Sequence, residues 1–454
     1  MKTKMWLCVQ IVILLVGFSL PVEAKRFGYP PEEFTARREA LCERLGEGTV
    51  LMFGGTMPAL AARFHQDNDF FYLTGNEDLN AVLVMDVGTK KAHLFLPKQG
   101  PREIRSDGTN WLEDPKAAEL RGFESIEPLQ TLNEFLARKR SYSATQTLWV
   151  RLSERDEISQ SRSNKAVNLA RKYMNLWSAR PSEDAFRVEM LRRYFPAYEL
   201  KDVSPHMDRL RMIKTAREIE ILKHNGVIAA EAINRSIAVT KPGVFEYEIE
   251  AEATYHHLRN GVQRGGYAAI VGSGPNGNIW HYRDSGRQVK AGEMVVMDYG
   301  GSLDYMIIDI TRTWPVSAKF DELQLRAYRC ALEALKTIAA EMRPGATREG
   351  IREITKEIYK KHGFEDQRAP SAGHFVGMAV HDVGDASLPL EPGMVIAVEP
   401  IIEIKEKHLH VRVEDTILVT EGDAVSLTEA SPKEVDELLA LMKQSRKPTG
   451  ESQR

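Results

Sequence analysis

The chain has 454 residues, 43% hydrophobic and 28% charged, an ordinary globular composition with room for two domains. Its formal net charge is −3, with acids and bases interspersed. That balance argues against a phosphate-driven nucleic-acid binder, which needs a basic surface.

Lys2 and Lys4 precede a nearly apolar run over residues 5–20, broken only by Gln10, Gly17 and Ser19. The run is shorter than the roughly 20 residues that span a bilayer. Val22-Glu23-Ala24 follows as an A-x-A-like cleavage site. Together these features predict a cleavable signal peptide over 1–24 and a secreted or periplasmic protein. No later stretch predicts stable membrane insertion. Beyond the signal only Cys42 and Cys330 remain, in different predicted domains. Neither a disulfide framework nor a zinc–thiolate site follows, so any metal would be held by oxygen and nitrogen.

Residues 25–178 form the first predicted domain. A helix over 31–45 carries Phe34, Leu41 and Leu45 on one side. Short Val- and Leu-rich strands are predicted over 49–53, 81–86 and 92–96, which gives an α/β domain. Residues 179–208, with Pro181, Pro196 and Pro205, read as a linker.

The second domain spans 209–446. Leu210, Ile213, Ile219, Leu222, Ile228 and Ile233 recur at helical spacing until Lys241-Pro242-Gly243. Strands over 293–299 and 306–316 flank Gly300-Gly301-Ser302 and predict a hairpin. Helices follow over 321–342 and over 347–362, the latter with Thr347 as N-cap and Gly363 beyond its end. Strands over 394–398 and 409–420 come next. Ser431-Pro432-Lys433-Glu434 predicts a capping box opening a last helix to 443. Residues 447–454 form a polar, frayed tail.

Acids interrupt the apolar strands. Asp298 ends Met294-Val295-Val296-Met297, Asp309 follows Met306-Ile307-Ile308, and Glu399 follows Met394-Val395-Ile396-Ala397-Val398. Glu414 lies between Arg412 and Thr416 on one face of a strand. His374 sits in Gly373-His374-Phe375. Taken singly, each has a plain structural reading, such as a turn acid or a salt-bridged core residue. Buried carboxylates need compensating positive charge. Four carboxylates and one imidazole, all in apolar surroundings, suit hard or borderline divalent ions such as manganese, and less selectively zinc or cobalt.

Over residues 209–443 the chain resembles the aminopeptidase P and prolidase branch of the pita-bread metallopeptidases. The resemblance rests on Ile270-Val271-Gly272-Ser273-Gly274-Pro275-Asn276 leading to Trp280-His281-Tyr282; on Met297-Asp298-Tyr299-Gly300 and Asp309-Ile310-Thr311-Arg312; on Gly373-His374-Phe375 through His381-Asp382-Val383-Gly384; and on Val398-Glu399-Pro400 and Arg412-Val413-Glu414-Asp415. Gln66-Asp67-Asn68-Asp69-Phe70-Phe71-Tyr72-Leu73-Thr74-Gly75 resembles the family's N-terminal domain. The implied fold is an α/β N-terminal domain plus an α+β pita-bread catalytic domain. The implied activity is release of the N-terminal residue from peptides with proline second, the alternatives being an Xaa-Pro dipeptidase or a non-catalytic binding protein on the same fold.

The resemblance implies that Asp298 chelates one metal, that Asp309 and Glu414 bridge two, and that His374 and Glu399 complete the second. Glu399 stands at the family's proton-shuttle position. His281 and His381 would hydrogen-bond the substrate and the developing oxyanion, and Arg412 would orient a carboxylate. His281 beside Trp280 and Tyr282 also reads as aromatic packing, and His381 as a core histidine. Asp382 and Asp415 read as structural, and His256, His257, His408 and His410 as surface or packing residues. The resemblance further implies a homo-oligomer, a dimer or tetramer, contacting near the active-site mouth. The chain departs from the family at Pro370, where a histidine is frequent, at Ile401 and Glu403, where Gly and Tyr are usual, and at Ile308, where a small residue is usual.

Overall fold

Short, mostly apolar strands build the sheet in the N-terminal half of the computed structural model. β1 (Thr49–Phe53), β2 (Val82–Asp86) and β3 (Lys91–Leu96) form an antiparallel core. β4 (Ser125–Pro128) joins β3 in parallel, and β5 (Thr147–Val150) joins β1 in parallel. β6 (Glu199–Asp202) closes the other edge beside β5, so the six-stranded order is β4-β3-β2-β1-β5-β6. The structure describes residues 28–56, 63–142, 146–175, 177, 180–368 and 373–444. The expected signal peptide, the polar tail and Pro370 lie outside them.

The predicted linker is structured. Residues 183–194 form the helix Glu183–Tyr194, capped by Ser182, and β6 completes the sheet. The prolines there mark breaks between elements. Pro205, for example, sits in the first turn of the helix Ser204–Met212, where a missing N–H costs nothing.

The helical pattern that opens the second half is two helices, not one. Ser204–Met212 ends at Ile213, and Thr215 starts Ala216–Val239 with a reciprocal capping box to Glu218. Ala216–Val239 packs on Glu246–Arg259, and Glu322–Glu341 packs on Arg348–His362. Thr347 caps the last of these, and Gly363 ends it in the left-handed region, as predicted. The helix pairs cover small sheets built from β7 (Arg264–Gly265), β8 (Ile270–Ser273), β9 (Met294–Asp298), β10 (Gly301–Leu303), β11 (Met306–Ile307), β12 (Thr311–Pro315), β13 (His374–Phe375), β14 (Val395–Val398), β15 (Ile401–Ile404), β16 (Leu409–Arg412), β17 (Asp415–Leu418) and β18 (Val425–Ser426). Their orders are β11-β10-β7, β12-β9-β8, β13-β14-β17-β18 and β15-β16.

Two local expectations are corrected. Gly301 and Ser302 are strand, not turn. The reversal falls at Asp304 and Tyr305, both at positive φ, so a small β10–β11 hairpin is inserted between the paired β9 and β12. The predicted capping box at Ser431 does not form. The last helix starts at Val435, and the Ser431 carbonyl instead accepts from Arg312 at 2.9 Å. The buried Ser431 hydroxyl has no hydrogen-bond partner among the described residues.

A buried ion network joins the two halves. Arg151 bonds Asp67 and Asp69 at 2.8 and 3.1 Å. Arg211, from the second half, bonds Asp69 at 2.8 Å and both Asp156 and Asp382 at 2.7 Å. Lys214 adds a 3.3 Å contact to Asp382. The Gln66-Asp67-Asn68-Asp69 segment is thus structural: Asp67 also caps the helix Asn68–Thr74, and Asn68 bonds Asp156 at 2.8 Å. Among the described residues no helix is long and apolar enough to cross a membrane.

Candidate metal centre

β9 and β12 pair so that Asp298 lies opposite Thr311, two residues past Asp309. Both acids therefore enter the same space. Asp309 is held by its backbone: its N–H donates to Thr416 Oγ1 at 3.0 Å, and its carbonyl accepts from that hydroxyl at 2.7 Å. Glu414 is bridged to Thr311 through backbone pairing, and its carboxylate accepts from the Thr311 hydroxyl. Gly373 places His374. At φ +104° a side chain is strained, and a Cβ there would sit 1.7 Å from the Ala397 carbonyl oxygen. β13 can therefore lie flat against β14, whose end leads into Glu399.

These elements bring the predicted residues together. One ligand atom each of Asp309, His374 and Glu414 falls within 4.8 Å of the others. His374 Nε2 lies 3.4 Å from Asp309 Oδ2 and 4.0 Å from Glu399 Oε1. Its Nδ1 is 3.1 Å from the Phe375 carbonyl, which can only accept, so Nδ1 carries a proton and Nε2 is the ring atom aimed at the acids. Arg412 Nη2 donates to Asp298 Oδ2 at 2.7 Å. Asp298, Asp309, His374, Glu399, Arg412, His281 and His381 all line one cavity of about 720 Å³, a size ordinary for a small-molecule or peptide site.

Tyr267 was not singled out from sequence. Its hydroxyl contacts the carboxylates of both Asp298 and Asp309. One phenolic proton cannot serve two ionised carboxylates, so the cluster needs further positive charge. The same shortage shows across the site. Burial, with Asp309 nearby and despite Arg412, raises the Asp298 carboxyl to about 8. Burial and the charges of Asp309, Asp298 and Glu399 hold Glu414 well above the usual carboxylate range. Burial opposes a charge on His374, yet Asp309 and Glu399 raise it to about 9. The raised Asp298 and Glu414 carboxyls and the charged His374 imidazole thus offset the cluster's negative charge with the positive charge of protons. Divalent cations would supply that charge, and an oxygen-rich set with one imidazole fits them.

The remaining predicted residues divide. His381 is half-buried with its ring 4.0 Å from that of His374, and burial plus the His374 charge lower it to about 4. His281 is exposed at the pocket wall, lowered by partial burial and by Arg412 and Arg283. Asp415 pairs with Arg312 and Lys433, both at 2.8 Å, and Asp382 with Arg211, as structural acids. His257 and His410 are buried, while His408 caps a turn at positive φ. Glu403 accepts from Trp280 Nε1 at 2.8 Å, so this departure anchors the residue beside His281. Ile401 and Ile308 are core residues.

Comparison with known proteins accords with this geometry. Residues 220–421 match the model of metallopeptidase family M24, and residues 34–149 match that of the aminopeptidase P N-terminal domain. The chain is 30% identical over 457 residues to Xaa-Pro aminopeptidase of Escherichia coli K12, covering 92% of this chain and 98% of that protein. The chain belongs to metallopeptidase family M24. Other M24-like matches include human Xaa-Pro aminopeptidase 3, 29% identical over 84% of this chain and 77% of that one. The solved structure of E. coli aminopeptidase P with the inhibitor Pro-Leu superposes with a TM-score of 0.78 at 27% identity, covering 92% and 99% of the two chains. The two-domain architecture, an aminopeptidase P-type N-terminal domain before a pita-bread catalytic domain, is therefore the M24 one, and the protein is a metal-dependent peptidase.

Proposed function

We propose that the protein is a dinuclear aminopeptidase releasing the N-terminal residue from peptides whose second residue is proline. The observation that carries the reading is the convergence of Asp298, Asp309, Glu399 and His374 on one pocket, with Glu414 grouped beside Asp309 and His374, in a chain similar over nearly its whole length to a protein named Xaa-Pro aminopeptidase. Likeness to the Xaa-Pro dipeptidase of Pyrococcus furiosus, at 34% identity, covers only 53% of this chain. That favours the aminopeptidase over a prolidase. The complete donor set disfavours a non-catalytic binder.

In this reading Asp298, Asp309, His374, Glu399 and Glu414 would hold two divalent ions, manganese in the first instance and zinc or cobalt as alternatives, which when bound would supply an acidified water and polarisation of the scissile carbonyl. Glu399 accepts the water's proton and passes it to the leaving nitrogen. Arg412 orients Asp298. His381 accepts from Asn164 Nδ2 on Nδ1 at 3.3 Å, which leaves its Nε2–H to donate toward developing negative charge. His281 contacts the substrate from the facing wall.

The signal-like residues 1–24 support a secreted or periplasmic location. Exposed Met174 and Trp177, at 87% and 99%, follow the pocket-lining helix and support a homo-oligomer contact near the mouth. A cleavage panel with manganese, zinc and cobalt added separately tests the function. Faster hydrolysis of Xaa-Pro tetrapeptides than of Xaa-Ala counterparts and of the Xaa-Pro dipeptide is expected. Preference for the dipeptide would reassign the protein as a prolidase.

A further inference from the structure

The helix Arg162–Tyr173 precedes β6 in the N-terminal domain, yet Asn164, Val167, Asn168 and Arg171 line the catalytic pocket. Positions i, i+3, i+4 and i+7 share one helix face, so these four form a single stripe. Its near end is fixed at the chemistry. Asn164 Nδ2 lies 3.3 Å from His381 Nδ1, and the His381 ring is 4.0 Å from that of the metal-site His374. Its far end is Arg171, seven residues on and so about 10 Å along the axis.

Arg171 is exposed and has no hydrogen-bond or ion-pair partner for its side chain among the described residues. Of the other pocket arginines, Arg412 is committed to Asp298, and Arg283, likewise exposed and without a side-chain partner among the described residues, stands at the chemistry, two residues from His281, whose imidazole feels its charge. An unpaired guanidinium therefore marks the pocket away from the acids. An extended peptide advances about 3.3–3.6 Å per residue, so the stripe measures roughly three residues.

We infer that Arg171 reads the C-terminal carboxylate of short substrates, so that the preferred class is the tri- and tetrapeptide with a free carboxylate. The inference rests on the Xaa-Pro reading above. With an Xaa-Pro bond at the acids, the carboxylate of a tri- or tetrapeptide lies two or three residues downstream, within reach of Arg171. A dipeptide's carboxylate falls short of it. Guanidinium–carboxylate pairing is charge-assisted and can be bidentate, which suits recognition of a chain end.

The test is kcat/KM of the purified full chain with manganese on Ala-Pro-Ala-Ala, as free acid and as C-terminal amide. Wild type should favour the acid by about tenfold. In Arg171→Gln the acid-to-amide ratio should fall to near one, mainly through KM, and Arg171→Lys should retain part of the preference. Arg171 lies on the surface, so circular dichroism of each variant should match wild type. Equal rates on acid and amide in wild type, or an unchanged ratio in Arg171→Gln, overturn the carboxylate inference and leave the Xaa-Pro reading standing. Cleavage of Ala-Ala-Ala-Ala with neither proline peptide cut overturns both.

Discussion

Arg412 sets Nη2 2.7 Å from Oδ2 of Asp298, a carboxylate that burial alone would neutralise. The pair aims Asp298 and holds part of its charge in the absence of any cation. Replacing Arg412 with Ala leaves a buried acid without its partner, so metal affinity and activity should each fall by about 10–100-fold. Titration of manganese into Arg412→Ala by calorimetry checks the first part. Wild-type affinity would show that the contact does not orient the ligand.

Asp309 groups with His374 and Glu414 within 4.8 Å and shares the Tyr267 hydroxyl with Asp298. Asp309→Ala should abolish hydrolysis of Xaa-Pro peptides while circular dichroism stays near wild type, because Thr416 is held by the Asp309 backbone, which the substitution keeps. Bound metal, measured by emission spectroscopy after manganese loading, should drop from about two ions per chain to one or fewer. Retained activity would remove Asp309 from the metal site.

Tyr267→Phe deletes the hydroxyl shared by Asp298 and Asp309 and nothing else. If the hydroxyl orients those ligands, activity should fall by about 10–100-fold with the fold unchanged. Steady-state kinetics at saturating manganese distinguishes this from simple loss of metal affinity, which saturation would restore.

Arg211 is buried at the contact between the two domains and bonds Asp69, Asp156 and Asp382. Arg211→Met takes the shared guanidinium from three buried acids, leaving them only Arg151, Arg162 and Lys214 as cationic partners, and should destabilise the chain by about 3–5 kcal/mol. Asp382 follows His381 directly, so activity should fall as well. Urea unfolding gives the stability change. A midpoint equal to wild type would mean the network is not coupled to folding.

Two buried histidines set an acid limit. Burial, and for His257 the neighbouring His256, lowers His257 to about 4; burial and Arg412 lower His410 to about 3. Unfolded, each titrates near 6.5. Between those values the unfolded chain binds more protons than the folded one. Their contribution to stability is therefore present above about pH 6.5 and is lost progressively as pH falls through that window. The urea midpoint should be lower at pH 5 than at pH 7.5, and His257→Phe should reduce the difference. An unchanged or higher midpoint at pH 5 would count against buried neutral histidines.

Much of the metal centre was legible without coordinates. Acids at Asp298, Asp309, Glu399 and Glu414 interrupt apolar strands, and a charge in such a place requires compensation, so the pattern itself points to a cation. Caps such as Thr347 and Gly363 were legible for a related reason, since their partners lie within one helical turn. The linker was misjudged because prolines mark interruptions, whereas the pairing of Leu200 with Leu148 in β6 and β5 is a property of the sheet. The Ser431 capping box does not form, and the Ser431 carbonyl goes to Arg312, more than a hundred residues earlier, a partner no local pattern encodes.

The sequence by itself placed four acids and one histidine in apolar strands, through local periodicity and the cost of burying charge, and its motifs carried the resemblance that implied the pita-bread architecture and the metal-ligand roles. Only the tertiary structure decided that Tyr267 joins two of the acids, that Asn164 and Arg171 reach the pocket from the other domain, and that Arg211 ties Asp69 to Asp382. Those contacts join residues from 31 to 217 positions apart. No local propensity encodes a partner at that distance; folding of the whole chain brings it into reach.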